Sequence, residues 1–235
     1  MPNEISAMLP FDKPANITSF KAVHKIRQIL NVKKAGHCGT LDPAATGLLL
    51  IMLGKATKMQ DKFMKQDKVY LASFLLGTVT DSGDLDGKII ARKELQNIDI
   101  DKIKEAAERF LGEIEQVPPM YSALKHKGKK LYELARRGIS VERKPRKVTI
   151  KNIDVISFND NIARVRVCCS SGTYIRTLAE DIGNMLGCGA AVKELRREKI
   201  GCFSVSGALK DNELGDIGKI LEKTVSLETL RKFYE

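Results

Sequence analysis

The chain contains no tryptophan, and aromatic residues make up only 6% of its 235 positions. Its five cysteines form no CxxC pair and its three histidines are scattered, so we expect neither a disulfide framework nor a metal site. No GxGxxG segment follows a strand pattern, so no dinucleotide cofactor is indicated. The longest apolar run, residues 48–53, is much shorter than a membrane span, and the N-terminus lacks a signal-peptide pattern. We therefore expect a cytoplasmic protein without membrane segment, metal or cofactor.

Positive charge is present in excess. The chain has 40 lysines and arginines against 29 acidic residues, a formal net charge of +11. Such an excess favours a polyanionic partner, because binding releases counterions from phosphates. The alternative is a soluble basic protein that has no such partner. Net charge does not decide between the two, because it bears on association and not on fold or chemistry.

Helix and strand patterns alternate along the chain without a regular βαβ order. This predicts an α+β domain on a mixed, largely antiparallel sheet flanked by helices. Apolar spacing predicts helices over about 20–30, 100–110 and 173–187. Residues 68–77 predict a strand buried on both faces, and residues 147–172 a β-hairpin around a polar turn. Residues 117–130 predict a basic, irregular loop, and the residues from about 211 a small helical tail.

One carboxylate occupies a tightly specified position. The segment KAGHCGTLDPAATGLL, residues 34–49, places Asp42 between Gly39 and Gly47 and directly before Pro43. The glycines permit conformations closed to other residues, and Pro43 pushes Asp42 toward an extended backbone. The pattern predicts a stiff turn that presents one carboxylate. The alternative, which this segment alone favours, is that Asp42 caps a helix beginning at Pro43.

Three further features are candidates for chemistry or binding. Arg176 lies in the first turn of the predicted helix 173–187, where the helix dipole disfavours a cation, so a specific anionic partner is expected. A solvated surface arginine is the alternative. Tyr70 lies in the apolar strand, where core packing is the default. The basic segment KHKGKK, near Tyr121 and Tyr132, could bind phosphates and stack on bases, or it could be a solvated loop.

Six segments, in family order, resemble those of the TruB-type tRNA pseudouridine synthases. Spanning residues 12–197, they are DKPANITS, AGHCGTLDPAATGLL, DKVYLASFLLGTVTDSGDLDG, QVPPMYSALKHKGKKLYELARRG, CSSGTYIRTLAEDIG and VKELRR. The resemblance implies the pseudouridine synthase catalytic fold with RNA-binding insertions. It also implies isomerisation of the T-loop uridine at tRNA position 55 after base flipping, with the T-arm of tRNA as partner and no metal or cofactor.

Position by position, the resemblance implies roles for eight residues. It makes Asp42 the catalytic aspartate, Tyr70 the tyrosine that stacks on the target base, and Arg176 the arginine that pairs with the aspartate. His37 matches the histidine that helps to hold the flipped uridine, and Leu195 matches an apolar residue of the pocket. Less defined roles in lining the active site fall to Lys13, Asp84 and Tyr174.

The chain departs from the family pattern at three points. Asn16 stands where glycine is usual, but asparagine accepts positive φ, so the same turn is expected. Cys38 stands where threonine or glycine is usual, and we expect slight redox sensitivity there. Only 38 residues follow Arg197, too few for a full C-terminal PUA module. We expect a catalytic domain over residues 1–210, a short tail over 211–235, and a monomer.

Two other functions are alternatives. A non-catalytic tRNA-binding or chaperone protein on the same fold would need the basic surface but not Asp42, Tyr70 and Arg176. A hydrolytic glycosidase would need a second carboxylate for acid–base chemistry, for which Asp84 is a weak candidate. The product separates the three functions: pseudouridine, unchanged RNA or free uracil.

Overall fold

The computed structural model describes residues 5–233. The strands are β1 (Ala7–Lys13), β2 (Ala35–His37), β3 (Thr46–Leu53), β4 (Lys68–Leu76), β5 (Thr78–Thr80), β6 (Ile89–Arg92), β7 (Gly112–Gln116), β8 (Lys125–His126), β9 (Lys129–Lys130), β10 (Arg146–Asn159), β11 (Ile162–Cys169), β12 (Ala190–Ile200), β13 (Phe203–Ser204), β14 (Leu209–Lys210) and β15 (Val225–Ser226). The α-helices are α1 (Ser19–Ile29), α2 (Gln60–Met64), α3 (Ile100–Glu108), α4 (Leu131–Ala135), α5 (Ile175–Met185), α6 (Ile217–Glu222) and α7 (Leu227–Lys232). Within the described chain, residues 5–69 with 196–233 form one compact unit, and residues 70–195 form a second.

In the first unit, β1 and β3 pair antiparallel from Met8 opposite Met52 to Lys13 opposite Gly47. Arg196 and Arg197 of β12 pair with β3 in parallel, with Arg197 opposite Gly47. Strands β14 and β15 both add to β1, and β2 adds to β3. The sequence did not predict β14 and β15, because two-residue strands are too short to show a period.

The apolar run of β3 is buried because both faces of this sheet are covered. Successive side chains of a strand point to opposite faces, so the run divides between two cores. One core receives Leu49, Ile51 and Leu53. The other receives Leu48, Leu50 and Met52. Helices α1 and α6 cover the first core, and α2 and α7 cover the second.

In the second unit, the strand order is β12, β4, β11, β10, β7. The predicted hairpin is confirmed: β10 and β11 pair antiparallel and reverse at Asp160 and Asn161, which have φ of 51° and 62°. Helix α5, which was predicted from its apolar spacing, buries Ile175 and Ile182, whereas Met185, at its C-terminal end, is 53% exposed.

The basic segment of residues 125–130 is more regular than predicted. Strands β8 and β9 pair antiparallel across a turn at Lys127 and Gly128, both with positive φ. Between residues 5 and 233, none of the helices has the length and apolar character needed to span a bilayer. The predicted α+β fold with a mixed, largely antiparallel sheet is confirmed.

Candidate active site

Asp42 lies in the connection between β2 and β3, within a segment that we call the Asp42 turn (residues 39–48). No helix begins there, so the helix-cap alternative is wrong. A single reversal follows Asp42, in which the Ala45 N–H donates to the Asp42 carbonyl at 3.1 Å, and β3 starts at once. Gly39 and Gly47 have φ of +93° and +102°, a region in which other side chains are strained. The predicted glycine-bounded turn is confirmed; its stiffness stays a prediction.

Lys13 lies against the Asp42 turn at the end of β1 and is 0% exposed. Its ammonium donates at 2.8, 2.9 and 3.1 Å to the carbonyl oxygens of Pro14, Ile17 and Pro43. The Asn16 N–H also donates to the Pro43 carbonyl, and Asn16 has the expected positive φ of 65°. Burial lowers the pKa of Lys13 to about 8, although the charge of Asp42 partly opposes this. Lys13 thus ties the loop after β1 to the residue that follows Asp42.

His37 and Cys38 precede the Asp42 turn. Burial lowers the pKa of His37, and the charge of Arg197 lowers it further, so the imidazole is neutral at physiological pH. Cys38 is 0% exposed, and burial raises the pKa of its thiol to about 12. The expected redox sensitivity of Cys38 is therefore wrong, because neither a thiolate nor access to solvent is present. The first unit holds three of the predicted site residues: Lys13, His37 and Asp42.

Arg176 lies in the first turn of α5 and is 5% exposed, so the alternative of a solvated surface arginine is wrong. Its guanidinium donates to the carbonyl oxygens of Ser82 and Tyr121, each at 2.8 Å. It also lies 3.5 Å from the Asp84 carboxylate, which accepts a hydrogen bond from the Ser82 hydroxyl at 2.5 Å. Arg176 therefore has the anionic partner that its unfavourable position in the helix predicted. Its pairing with Asp42 stays a prediction.

Tyr174 precedes α5, and its main chain is held by the side chain of Gln116. That amide accepts from the Tyr174 N–H at 2.9 Å and donates to the Tyr174 carbonyl at 3.2 Å. Tyr70 lies in β4 and is 9% exposed, and Leu195 is half-buried in β12. The second unit holds the other five predicted site residues: Tyr70, Asp84, Tyr174, Arg176 and Leu195.

Two charged residues beside these groups were not predicted. Arg197 is 1% exposed and contacts the Asp42 turn; the segment VKELRR was its only signal, and nothing in that segment marks the arginine as buried. Glu180 lies one helical turn after Arg176, a spacing that could have indicated an interaction. Burial, with the charge of Asp181, raises the pKa of Glu180 to about 7. Among residues 5–233, no group of three His, Cys, Asp or Glu side chains is placed to hold a metal ion.

Family models match most of the chain. The N-terminal domain of the TruB family pseudouridylate synthases matches residues 27–175, and the tRNA pseudouridylate synthase B C-terminal domain matches residues 176–234. The chain belongs to the TruB family of pseudouridylate synthases. The family predicted from the six ordered segments is confirmed.

Curated TruB relatives cover nearly the whole chain. The tRNA pseudouridine synthase B of Endomicrobium trichonymphae is 63% identical over 96% of this chain and 98% of its own. The enzyme of the same name from Nitrosococcus oceani is 48% identical over 90% of this chain and 68% of its own. The predicted isomerase class is confirmed.

Solved structures also resemble this TruB-family chain. A Cbf5-Nop10-Gar1 complex matches 97% of it with a TM-score of 0.75 and 27% identity. An H/ACA RNP bound to a substrate RNA containing 2′-deoxyuridine matches 92% of it with a TM-score of 0.68 and 28% identity. The chain spans 66% and 55% of those two chains, respectively.

Proposed function

We propose that this chain isomerises uridine 55 in the T-loop of tRNA to pseudouridine and that Asp42 is the catalytic carboxylate. The reaction class follows from membership of the TruB family and from the relative named tRNA pseudouridine synthase B. The observation that carries the role of Asp42 is its turn. A single carboxylate is presented on a main chain held by buried side chains, in a protein of formal net charge +11.

One well-placed carboxylate suits the chemistry of this isomerisation. The N1–C1′ bond breaks, the uracil turns, and C5 bonds to C1′, after which the C5 hydrogen leaves as a proton and N1 takes up a proton. No electrons are exchanged with a second molecule, so the reaction is redox-neutral. Asp42 can act as a nucleophile or as a base at the sugar. Either role requires a fixed position relative to the bound nucleotide, because misplacement by about 1 Å can cost about 10²-fold in rate.

Arg176 and Tyr70 are the proposed partners of Asp42 in catalysis. The Arg176 guanidinium is buried and already oriented by two carbonyl acceptors, so it can favour the ionised form of a carboxylate. Its truncation would also leave the Asp84 carboxylate, whose side chain is 19% exposed, without this cation. Tyr70 would stack on the flipped uracil, recovering about 1–3 kcal/mol of the extrusion cost.

Substrate binding is assigned to His37, Tyr174, Leu195 and Asp84, together with the basic hairpin of β8 and β9. Lys13, which was predicted to line the site, is buried and donates to three main-chain carbonyls, so its proposed role is to hold the Asp42 turn. Around that hairpin, Lys130 and Arg136 lie 5.5 and 5.7 Å from the centre of the Tyr132 ring. Cations held against an aromatic face remain available to phosphates. We propose that the protein acts as a cytoplasmic monomer on the T-arm, and sedimentation with one equivalent of tRNA would measure that stoichiometry.

The decisive experiment is release of tritium from C5-labelled uridine in an unmodified tRNA transcript. Wild type should release one equivalent of label per tRNA, and Asp42→Asn should release none while still binding the transcript. A transcript with cytidine at position 55 is the matched control and should release no label.

Each contrary outcome refutes a different part of the proposal. Release from the position-55 control would contradict the proposed target nucleotide. Free uracil would identify a hydrolytic glycosidase. Binding without release by wild type would favour the non-catalytic RNA-binding alternative.

A further inference from the structure

The main chain of the Asp42 turn is held by side chains from three other segments. Arg197 in β12 contacts it on both sides of Asp42. The Ser19 hydroxyl in α1 accepts from the Leu41 N–H at 2.9 Å and donates to the Leu41 carbonyl at 3.1 Å. Lys13 in β1 donates to the Pro43 carbonyl at 3.1 Å. The residues immediately before and after Asp42 are therefore both anchored from outside the turn.

Arg197 joins the two ends of this turn. Its Nε donates to the Leu48 carbonyl at 2.8 Å and its Nη2 to the Gly39 carbonyl at 2.9 Å, while Nη1 lies 3.4 Å from the Thr40 carbonyl. The acceptors lie before and after Asp42, so one planar group sets the width of the turn. A guanidinium can do this because its donors form a rigid fork, whereas a lysine ammonium is a single point on a flexible stem.

The main chain of Arg197 also packs against the Asp42 turn. The register of β12 against β3 places Arg197 opposite Gly47, at the end of the Asp42 turn. A Cβ at Gly47 would collide with the Arg197 main chain, and Gly47 also has φ of +102°. Both the strand and the side chain of Arg197 are thus fitted to this one turn.

Burying this cation is costly, which separates Arg197 from an ordinary stabilising residue. Its side chain is among the largest in the described chain with under 2% exposure, and its three hydrogen-bond acceptors are neutral main-chain carbonyls. Carbonyl acceptors offset the desolvation of a cation less than a carboxylate does, so the burial of Arg197 keeps an electrostatic cost that an uncharged side chain would not carry. The burial of Arg197 is explained by its hydrogen bonds to both ends of the Asp42 turn.

We propose that Arg197 is a positioning residue for Asp42, acting through the guanidinium fork that sets the two ends of the Asp42 turn. The proposal rests on the proposed function, because it assumes that Asp42 acts in the reaction. Arg197 does not touch the substrate in this assignment. Its loss should therefore affect the chemical step and leave tRNA affinity nearly unchanged.

The test compares Arg197→Lys with wild type in single-turnover tritium release and in tRNA binding. Arg197→Lys keeps the charge and loses the fork, so the rate constant should fall about 30- to 100-fold while Kd changes less than about threefold. Ile200→Ala is the matched control: Ile200 lies in the same strand, is 1% exposed and has no hydrogen bond to the turn through its side chain. It lowers stability but should keep the wild-type rate at a temperature where it is folded.

Two further measurements keep the proposal refutable if Arg197→Lys folds poorly. Ser19→Ala removes another anchor of the turn and should lower the rate about tenfold at unchanged Kd. In Arg197→Lys, the Leu41 amide should exchange with solvent faster than it does in wild type, while the amides of β3 keep their wild-type exchange rates. That pattern would show loosening confined to the turn.

A wild-type rate constant in folded Arg197→Lys would overturn the proposal. An equal fall in the rate constants of Arg197→Lys and Ile200→Ala would also overturn it, because the effect would then not depend on the hydrogen bonds to the turn. Failure of the proposed function has a different signature: wild type itself would then release no label, or Asp42→Asn would release as much as wild type.

Discussion

Replacing Glu180 with glutamine should stabilise the protein at pH 8 and change its stability little at pH 5. Glu180 is half-buried on α5, and its carboxylate lies against Gly83, where an added Cβ would be 2.8 Å from Oε1. Burial is the main cause that raises the pKa of Glu180 to about 7, and the charges of Asp181 and Asp84 add to it. Arg176 and Arg143 lower it, but they do not compensate for the burial.

The direction of the effect follows from the protons bound by each state. In the unfolded chain Glu180 ionises near its ordinary pKa of 4.5, whereas the folded protein keeps the proton up to about pH 7. The burial of Glu180 therefore costs the folded protein least below pH 4.5, where the side chain is neutral in both states. The free energy of unfolding falls as the pH rises from there through about 7. Glutamine is neutral throughout and removes this loss.

The magnitude can be worked from the same two values. The full difference between 4.5 and about 7 corresponds to about 3 kcal/mol at pH 8. Because Glu180 is only half-buried, solvent screens the charge, and we expect about 1–2 kcal/mol.

Urea denaturation of wild type and Glu180→Gln at pH 5, 6, 7 and 8 measures the difference. Glu228→Gln is the control, because that side chain is 84% exposed and should show no such pH dependence. A difference between wild type and Glu180→Gln that is equal at pH 5 and pH 8 would refute the reasoning, since a purely steric effect of the substitution has no pH dependence.

Three other predictions concern the Asp42 turn and residues beside it. Lys13→Met should lower the free energy of unfolding at pH 7 by about 2–4 kcal/mol in urea, because three carbonyls lose a charged donor; an unchanged midpoint would contradict this. Gly47→Ala should lower the free energy of unfolding, measured by thermal unfolding, by more than about 2 kcal/mol, because of the positive φ and the collision with Arg197. Iodoacetamide should modify exposed Cys202 and leave Cys38 intact by peptide mass spectrometry; equal labelling of both would refute the burial of Cys38.

Much of the local structure could be predicted from the sequence. The polar turn at Asp160 and Asn161, the positive φ of Asn16 and the glycine-bounded turn around Asp42 all follow from residue types that accept those conformations. Helix α5 follows from its apolar spacing. These features depend on interactions within a few residues, which a short stretch of sequence contains.

The position of Arg197 could not be predicted in that way. Arg197 and its acceptor Gly39 are 158 residues apart, and their contact depends on the register of β12 against β3. Adjacent Arg196 is the same residue type and instead pairs with Asp12 at 2.7 Å in a half-exposed position. Sequence alone does not distinguish these two arginines, because a one-residue change in register would exchange their faces.

The sequence by itself determined the family, the α+β class and a turn able to present a single carboxylate, because these depend on ordered motifs and local conformational preference. Only the tertiary structure decided which buried cations hold that turn, that Cys38 is inaccessible, and that Arg176 pairs with Asp84. These outcomes depend on desolvation and on contacts between distant segments, which exist only once the strands are in register.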